Sequence, residues 1–220
     1  NRIRRPFDVK RSNPLGALKQ INKISGMIRF LIVFFLFKFA FFVYPAVWAY
    51  YAKIQFNWDP GMVGVSLASF GISIAIVEGI LIRYLLPRFG ERRTVVIGFL
   101  FNFAIFIILG FITSGFWALL LTPISALGSI VIPAIRGIMS NKAKANQQGE
   151  VHGIIASTES LAVIFAPLVL TYIFYVSTRS DGAFYLPGMP FFFAAVIISA
   201  ALTVFITRAK GSIGSSKNTT

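Results

Sequence analysis

Six apolar runs, each long enough to cross a bilayer and each nearly free of charge, dominate this chain. A hydrocarbon core about 30 Å thick needs ~20 helical residues at a rise of ~1.5 Å each. The runs cover residues 26–51, 63–86, 94–113, 116–138, 151–176 and 190–207. Charge, Gly or Pro separates them, and Pro87 closes the second. Strands cannot replace these helices, because backbone groups at an open sheet edge would go unpaired in lipid. The expectation is an all-α membrane protein with six spans.

Composition agrees. Of 220 residues, 56% are hydrophobic and only 13% are charged, and mean hydropathy is +0.77. Soluble domains carry about twice that charge. Cysteine is absent, which excludes disulfides, thiolate metal sites and a cysteine nucleophile. The single histidine, His152, leaves no basis for a His-rich metal site or a Ser-His-Asp triad. No nucleotide-binding signature is present. The chain reads as a non-enzyme needing no cofactor and no metal.

The net charge of +14 would suggest nucleic acid on a soluble domain. Here it reads as the cytoplasmic flanks of membrane helices, with no nucleic-acid partner. One set of flanks holds Arg2, Arg4, Arg5, Lys10, Arg11, Lys19, Lys23, Arg29, Arg83, Arg88, Arg92, Arg93, Arg136, Lys142, Lys144, Arg208, Lys210 and Lys217. The other holds only Lys53 and Arg179. The sets alternate as six spans require, placing both termini and the 87–93 and 139–150 loops in the cytoplasm. Residues 1–25 read as a basic cytoplasmic linker, and 208–220 as a tail of disordered composition. The chain begins at Asn1, with no cleavable signal peptide in view, and can be a fragment or a processed product.

Three stretches carry a more specific signal. They are Trp58-Asp59 with Val63-Gly64-Val65-Ser66-Leu67-Ala68-Ser69-Phe70-Gly71, then Arg88-Phe89-Gly90-Glu91-Arg92-Arg93, then Gln148-Gly149-Glu150-Val151-His152-Gly153. With Asn13-Pro14-Leu15, Pro133-Ala134, Ser160-Leu161 and Pro167-Leu168 in register, the chain resembles the C-terminal half of the tetracycline–proton antiporters. That drug-efflux group belongs to the major facilitator superfamily. The resemblance implies one half of a twelve-helix transporter, with 26–207 as helices seven to twelve. It also implies an inner (plasma) membrane location and a solute path between two halves. The partner would be the N-terminal six-helix half or a second half-transporter. In the 87–93 loop, Gly90 permits a tight turn, and Arg88, Arg92 and Arg93 can pair with carboxylates or helix C-termini as a cytoplasmic gate. Pro87 stands where the fuller signature has an acidic residue.

Ionisable groups deep in a span are costly and are functional candidates by default. Lys38, Glu78 and Glu159 lie roughly 18, 12 and 14 Å from the cytoplasmic ends of their spans, on three different helices. Two readings follow. Lys38 pairs with one carboxylate while the other carries a proton, or the charges form a static bridge that fixes packing. Tetracycline antiporters place a carboxylate where this chain has Asn102, a histidine at Ile74, and uncharged groups at Lys38, Glu78 and Glu159. Tetracycline–metal export therefore does not carry over.

Other features are plainer. Ser157, Thr158 and Ser160 read as a polar patch lining a hydrated path, with Asn102 and Phe42 as further path candidates. Gly71, Ala75 and Gly79 form a small-residue stripe suited to close helix packing. Pro45, Pro123, Pro133 and Pro167 are expected to bend their helices. The 24 Phe read mostly as lipid-facing bulk, and Trp48, Tyr50, Tyr51 and Trp58 as an interfacial belt. The functional expectation is proton-coupled antiport of a small organic solute by alternating access. The alternatives are same-fold transport of a metabolite or anion, and a non-transporting membrane module.

Overall fold

The structure, a computed structural model, describes residues 26–144, 147–179 and 185–207. The expected linker at 1–25 and tail at 208–220 lie outside the described residues.

The first apolar stretch forms two nearly continuous helices, α1 (Met27–Phe41) and α2 (Val43–Phe56). They meet at Phe42, whose N–H still reaches the Lys38 carbonyl at 3.1 Å. Pro45 follows within the first turn of α2, where a missing N–H is tolerated. Asn57 ends α2 in the left-handed region at φ 55, a conformation asparagine tolerates. The next helix, α3 (Pro60–Ile76), starts abruptly for a local reason. The Asp59 carboxylate accepts the Gly61 and Met62 N–H groups at 2.6 and 3.0 Å, and Pro60 takes the first helical position.

Beyond α3 the chain makes a π-helical turn (Val77–Leu81) and continues into α4 (Ile82–Phe111). From Pro60 to Phe111 the stretch has 52 residues, or ~78 Å of helix, more than twice a bilayer core. It breaks at Gly90, where φ 74 and ψ 160 define backbone open essentially to glycine alone. Pro87 was the expected terminator. It lies inside the helical stretch instead, and Gly90 turns the chain three residues later.

The next stretch comprises α5 (Gly115–Ser125), a 3-10 segment (Ala126–Ile130) and α6 (Val131–Lys142). Pro123 and Pro133 bracket the irregular segment, as proline's lost hydrogen bonds predict. Two longer helices follow, α7 (Gln148–Thr178) and α8 (Met189–Thr207). Among the described residues, five continuous helical stretches are long and apolar enough to cross a membrane. The described residues are all-helical and the chain is multi-pass.

Helices α1 and α2 form the spine. They pack against α7 and α8; α4 packs against α8 and α6, and α3 against α5. The core is aromatic. Phe30, Phe34, Phe37, Phe99, Phe106 and Phe191 are fully buried, with Trp48 and Tyr51 among them. This corrects two expectations. Many phenylalanines form the interior rather than lipid-facing bulk, and Trp48 and Tyr51 are not belt residues. Their polar tips are satisfied inside: Trp48 Nε1 donates to Ser66 Oγ at 2.9 Å, and Tyr51 Oη donates to the Leu109 carbonyl at 2.6 Å. Lipid tails are as apolar as Leu, so van der Waals packing and these buried bonds hold the bundle, not removal from water. The small-residue stripe packs against no other helix among the described residues. Gly71, Ala75 and Gly79 are exposed, and a Cβ at Gly71 or Gly79 would meet nothing within 4 Å.

Candidate functional site

Four ionisable side chains from four segments converge inside the bundle. Lys38 on α1 places Nζ 2.6 Å from Glu159 on α7. Arg136 on α6 binds the other oxygen of the same carboxylate through Nη2. Glu78, the second residue of the π turn, feels the charges of Lys38, Arg136 and Glu159. Among the described residues the two ion pairs both end on Glu159.

Sequence reading placed Arg136 among the topogenic flank charges. The structure turns it inward, because its guanidinium rests over the Phe34 ring, 5.6 Å from the centroid. A cation held on an aromatic face is attracted by the ring quadrupole. That contact aims Arg136 at Glu159. Its side chain is 41% exposed, against 16% for Lys38 and 28% for Glu159, so the triad is open on one side.

Glu78 owes its position to irregular backbone. A π turn inserts an extra residue per turn and re-aims the side chains it carries, often at functional sites. The π turn packs against the 3-10 segment, which presents Ser129. The Ser129 hydroxyl is buried and makes no hydrogen bond of standard geometry, yet lies within reach of the Glu78 carboxylate. Two irregular segments thus face one another at the cluster. Non-helical backbone at membrane depth is tolerated where protein or a hydrated cavity covers it.

The other candidates are distributed. Asn102 is fully buried, and its Nδ2 donates to the carbonyls of Gly98 at 2.8 Å and Gly128 at 3.0 Å. It ties α4 to the 3-10 segment. Ser157 and Ser160 are exposed on α7 and donate to the carbonyls one turn back, of Gly153 and Ala156, each at 3.0 Å. Thr158 is half-buried beside Glu159. Phe42 is half-buried and packs on the aromatic core. In the 87–93 loop, Arg88, Arg92 and Arg93 are exposed, with Gly90 at the break. The contact that crosses to another helix comes from a residue not singled out before. Glu91 Oε1 accepts from Asn141 Nδ2 at 2.8 Å and sits against Gly137, where a Cβ would meet it at 2.6 Å.

The sequence model of the Major Facilitator Superfamily matches residues 30–218. The class C tetracycline resistance protein of Escherichia coli is 28% identical over 177 residues, covering 80% of this chain and 45% of that protein. The class E protein of Escherichia coli is 31% identical over 184 residues, covering 82% and 44%. A crystal structure of the peptide transporter POT with sulfate superposes with a TM-score of 0.69 at 23% identity. That match covers 86% of this chain and 38% of the other. The chain therefore spans somewhat under half the length of the curated relatives it matches.

Proposed function

Since this chain belongs to the Major Facilitator Superfamily, we propose that it forms helices seven to twelve of a secondary transporter, working by alternating access. The Gly90 break supports two crossings from the 52-residue stretch, and hence six in all. The exposed stripe at Gly71, Ala75 and Gly79 and the exposed face of α7, the least buried membrane-capable helix, support a second six-helix half as partner. The proposed solute is a small organic, amphipathic compound, exported against protons across the inner membrane.

The observation that carries the proposal is the unequal pairing of the two carboxylates. Two cations already over-compensate the single charge on Glu159. Glu78 has no ion pair of its own among the described residues and sits on irregular backbone. A proton on Glu78 therefore changes the net charge of the cluster from zero to +1, while the Glu159 triad holds the helices in place. Reorientation with Glu78 neutral, so that no carboxylate lacking an ion pair crosses the membrane interior, is the step that would couple proton to solute. Arg88, Arg92 and Arg93, together with Gly90 and the Glu91–Asn141 bond, are proposed to close the positively charged end.

Exchange measured in vesicles containing the complete transporter, with an imposed pH gradient, tests this. Glu78→Gln should lower proton-driven exchange at least tenfold and leave gradient-free exchange running. Glu159→Gln should impair both, because it leaves Lys38 and Arg136 without their shared partner. Undiminished proton coupling in both variants removes the proposal.

A second reading has its own support. With Glu78 protonated, Lys38 and Arg136 outnumber Glu159, and an anionic solute or metabolite would suit the excess charge. Lys38→Gln should then abolish transport of anions only. Equal losses for neutral and anionic solutes would reject that reading.

A further inference from the structure

At the arginine-rich end of the bundle, α1, α4 and α8 leave a cavity of about 440 Å³ between them. Its apolar lining includes Val96, Ile97 and Phe205, of which Phe205 is buried. Three arginines, Arg29, Arg92 and Arg93, share its lining, and the exposed Arg92 and Arg93 mark its rim. Arg29 stacks on the buried Phe30 ring, 4.9 Å from its centroid. Among the described residues no carboxylate lines the cavity; the nearby Glu91 is engaged by Asn141. The site shares no residue with the Lys38–Glu159 cluster; on α1, Arg29 and Lys38 stand ~13 Å of helix apart.

We propose that this cavity binds one anionic phospholipid of the adjoining leaflet. Three features select that occupant. Arg29 is the third residue of α1, Arg92 and Arg93 follow the Gly90 break, and Phe205 lies in the last turn of α8. The rim thus stands at the level where helices leave the hydrocarbon, which is the headgroup level. Guanidinium groups match phosphate geometry with paired donors. Apolar lining residues stand beside the arginines on all three helices, so one molecule must offer phosphate and hydrocarbon together. A volume within the ~300–1,000 Å³ range of small-molecule pockets holds a headgroup and the first part of one acyl chain. Basic pockets between membrane helices at this level recognise acidic headgroups. A bound lipid would bridge the ends of α1, α4 and α8, and so brace the loop that begins at Gly90.

Native mass spectrometry of the detergent-purified 220-residue chain tests the inference. Phosphatidylglycerol should be retained at least fivefold over phosphatidylcholine of the same acyl length. The double variant Arg92→Gln/Arg93→Gln should lose that preference. Ile97→Trp, which enlarges an apolar wall of the cavity and keeps all three arginines, should lower retention of phosphatidylglycerol at least threefold. Arg83→Gln/Arg88→Gln, which removes equal charge outside the cavity, should change nothing, and inorganic phosphate at tenfold excess should not compete. Circular dichroism on each variant verifies retained helix. Equal retention of the two lipids, equal loss on removing Arg83 and Arg88, or displacement by phosphate alone would overturn the proposal. So would a cavity already filled by residues 1–25 or 208–220, seen as a full chain that takes up no lipid.

Discussion

Glu78 and Glu159 are the same chemical group at similar depth, and their neighbours set them apart. Glu159 meets a lysine and an arginine, while Glu78 faces a serine from an irregular segment. The depth of Lys38, Glu78 and Glu159 was legible in the sequence, since charges in apolar runs stand out and helical rise converts position into depth. Arg136 was not. An arginine near the end of a span has the same local pattern whether it snorkels to water or turns inward. Only the Phe34 ring, a hundred residues earlier, decides between them. Asn102 shows the same limit: the family comparison marked the position, but its use as a clamp depends on the Gly128 carbonyl across an interhelical gap. That clamp gives a residue-level expectation. A Cβ at Gly128 would run into the Asn102 amide, so Gly128→Ala should lower stability by about 1–3 kcal/mol. Gly71→Ala, at a position with nothing within 4 Å, should be neutral or stabilising by up to ~1 kcal/mol. Thermal denaturation of both variants in one detergent compares them directly.

Helix existence was plain from apolar length, and five stretches of membrane-capable helix stand where the runs were read. What length does not reveal is where a helix loosens. Pro123 and Pro133 mark the 3-10 segment between them, because proline removes donors at fixed places. The π turn at Val77–Leu81 contains no proline and has no such signal. Its sequence would continue an α-helix equally well, and packing against the 3-10 segment accompanies the departure. Pro87 was read as closing the second run and Gly90 as permitting the turn; the helix runs through Pro87 and breaks at Gly90. Proline can remain in a helix at the cost of a bond, whereas the Gly90 backbone conformation excludes a side chain. Gly90→Ala should therefore destabilise the protein by about 1–3 kcal/mol, while Pro87→Ala should be near neutral. Heat-induced loss of monodisperse elution, measured on both, separates these outcomes.

The bundle's sidedness is a whole-molecule property open to direct measurement. With no native cysteine, single replacements need no background removal. Arg88→Cys and Lys144→Cys should label from one face of sealed vesicles with an impermeant maleimide, and Lys53→Cys from the opposite face. Labelling of the first two from opposite faces would break the six-crossing reading. Assembly can be probed at the exposed stripe. Ala75→Trp should leave the isolated chain folded and reduce its capture of a co-expressed six-helix half at least fivefold. Capture unaffected by the tryptophan would move the interface elsewhere. The sequence alone determined that this chain is helical and built for lipid, because solvent preference is additive along the chain and span length is set by bilayer thickness. It also marked the membrane charges, since a costly residue is conspicuous wherever it falls. Tertiary structure decided which of those charges pair, which aromatics form the interior and which small residues stay open. Those outcomes depend on the directions of side chains brought together from distant helices, and apolar residues facing lipid or facing protein carry the same letters.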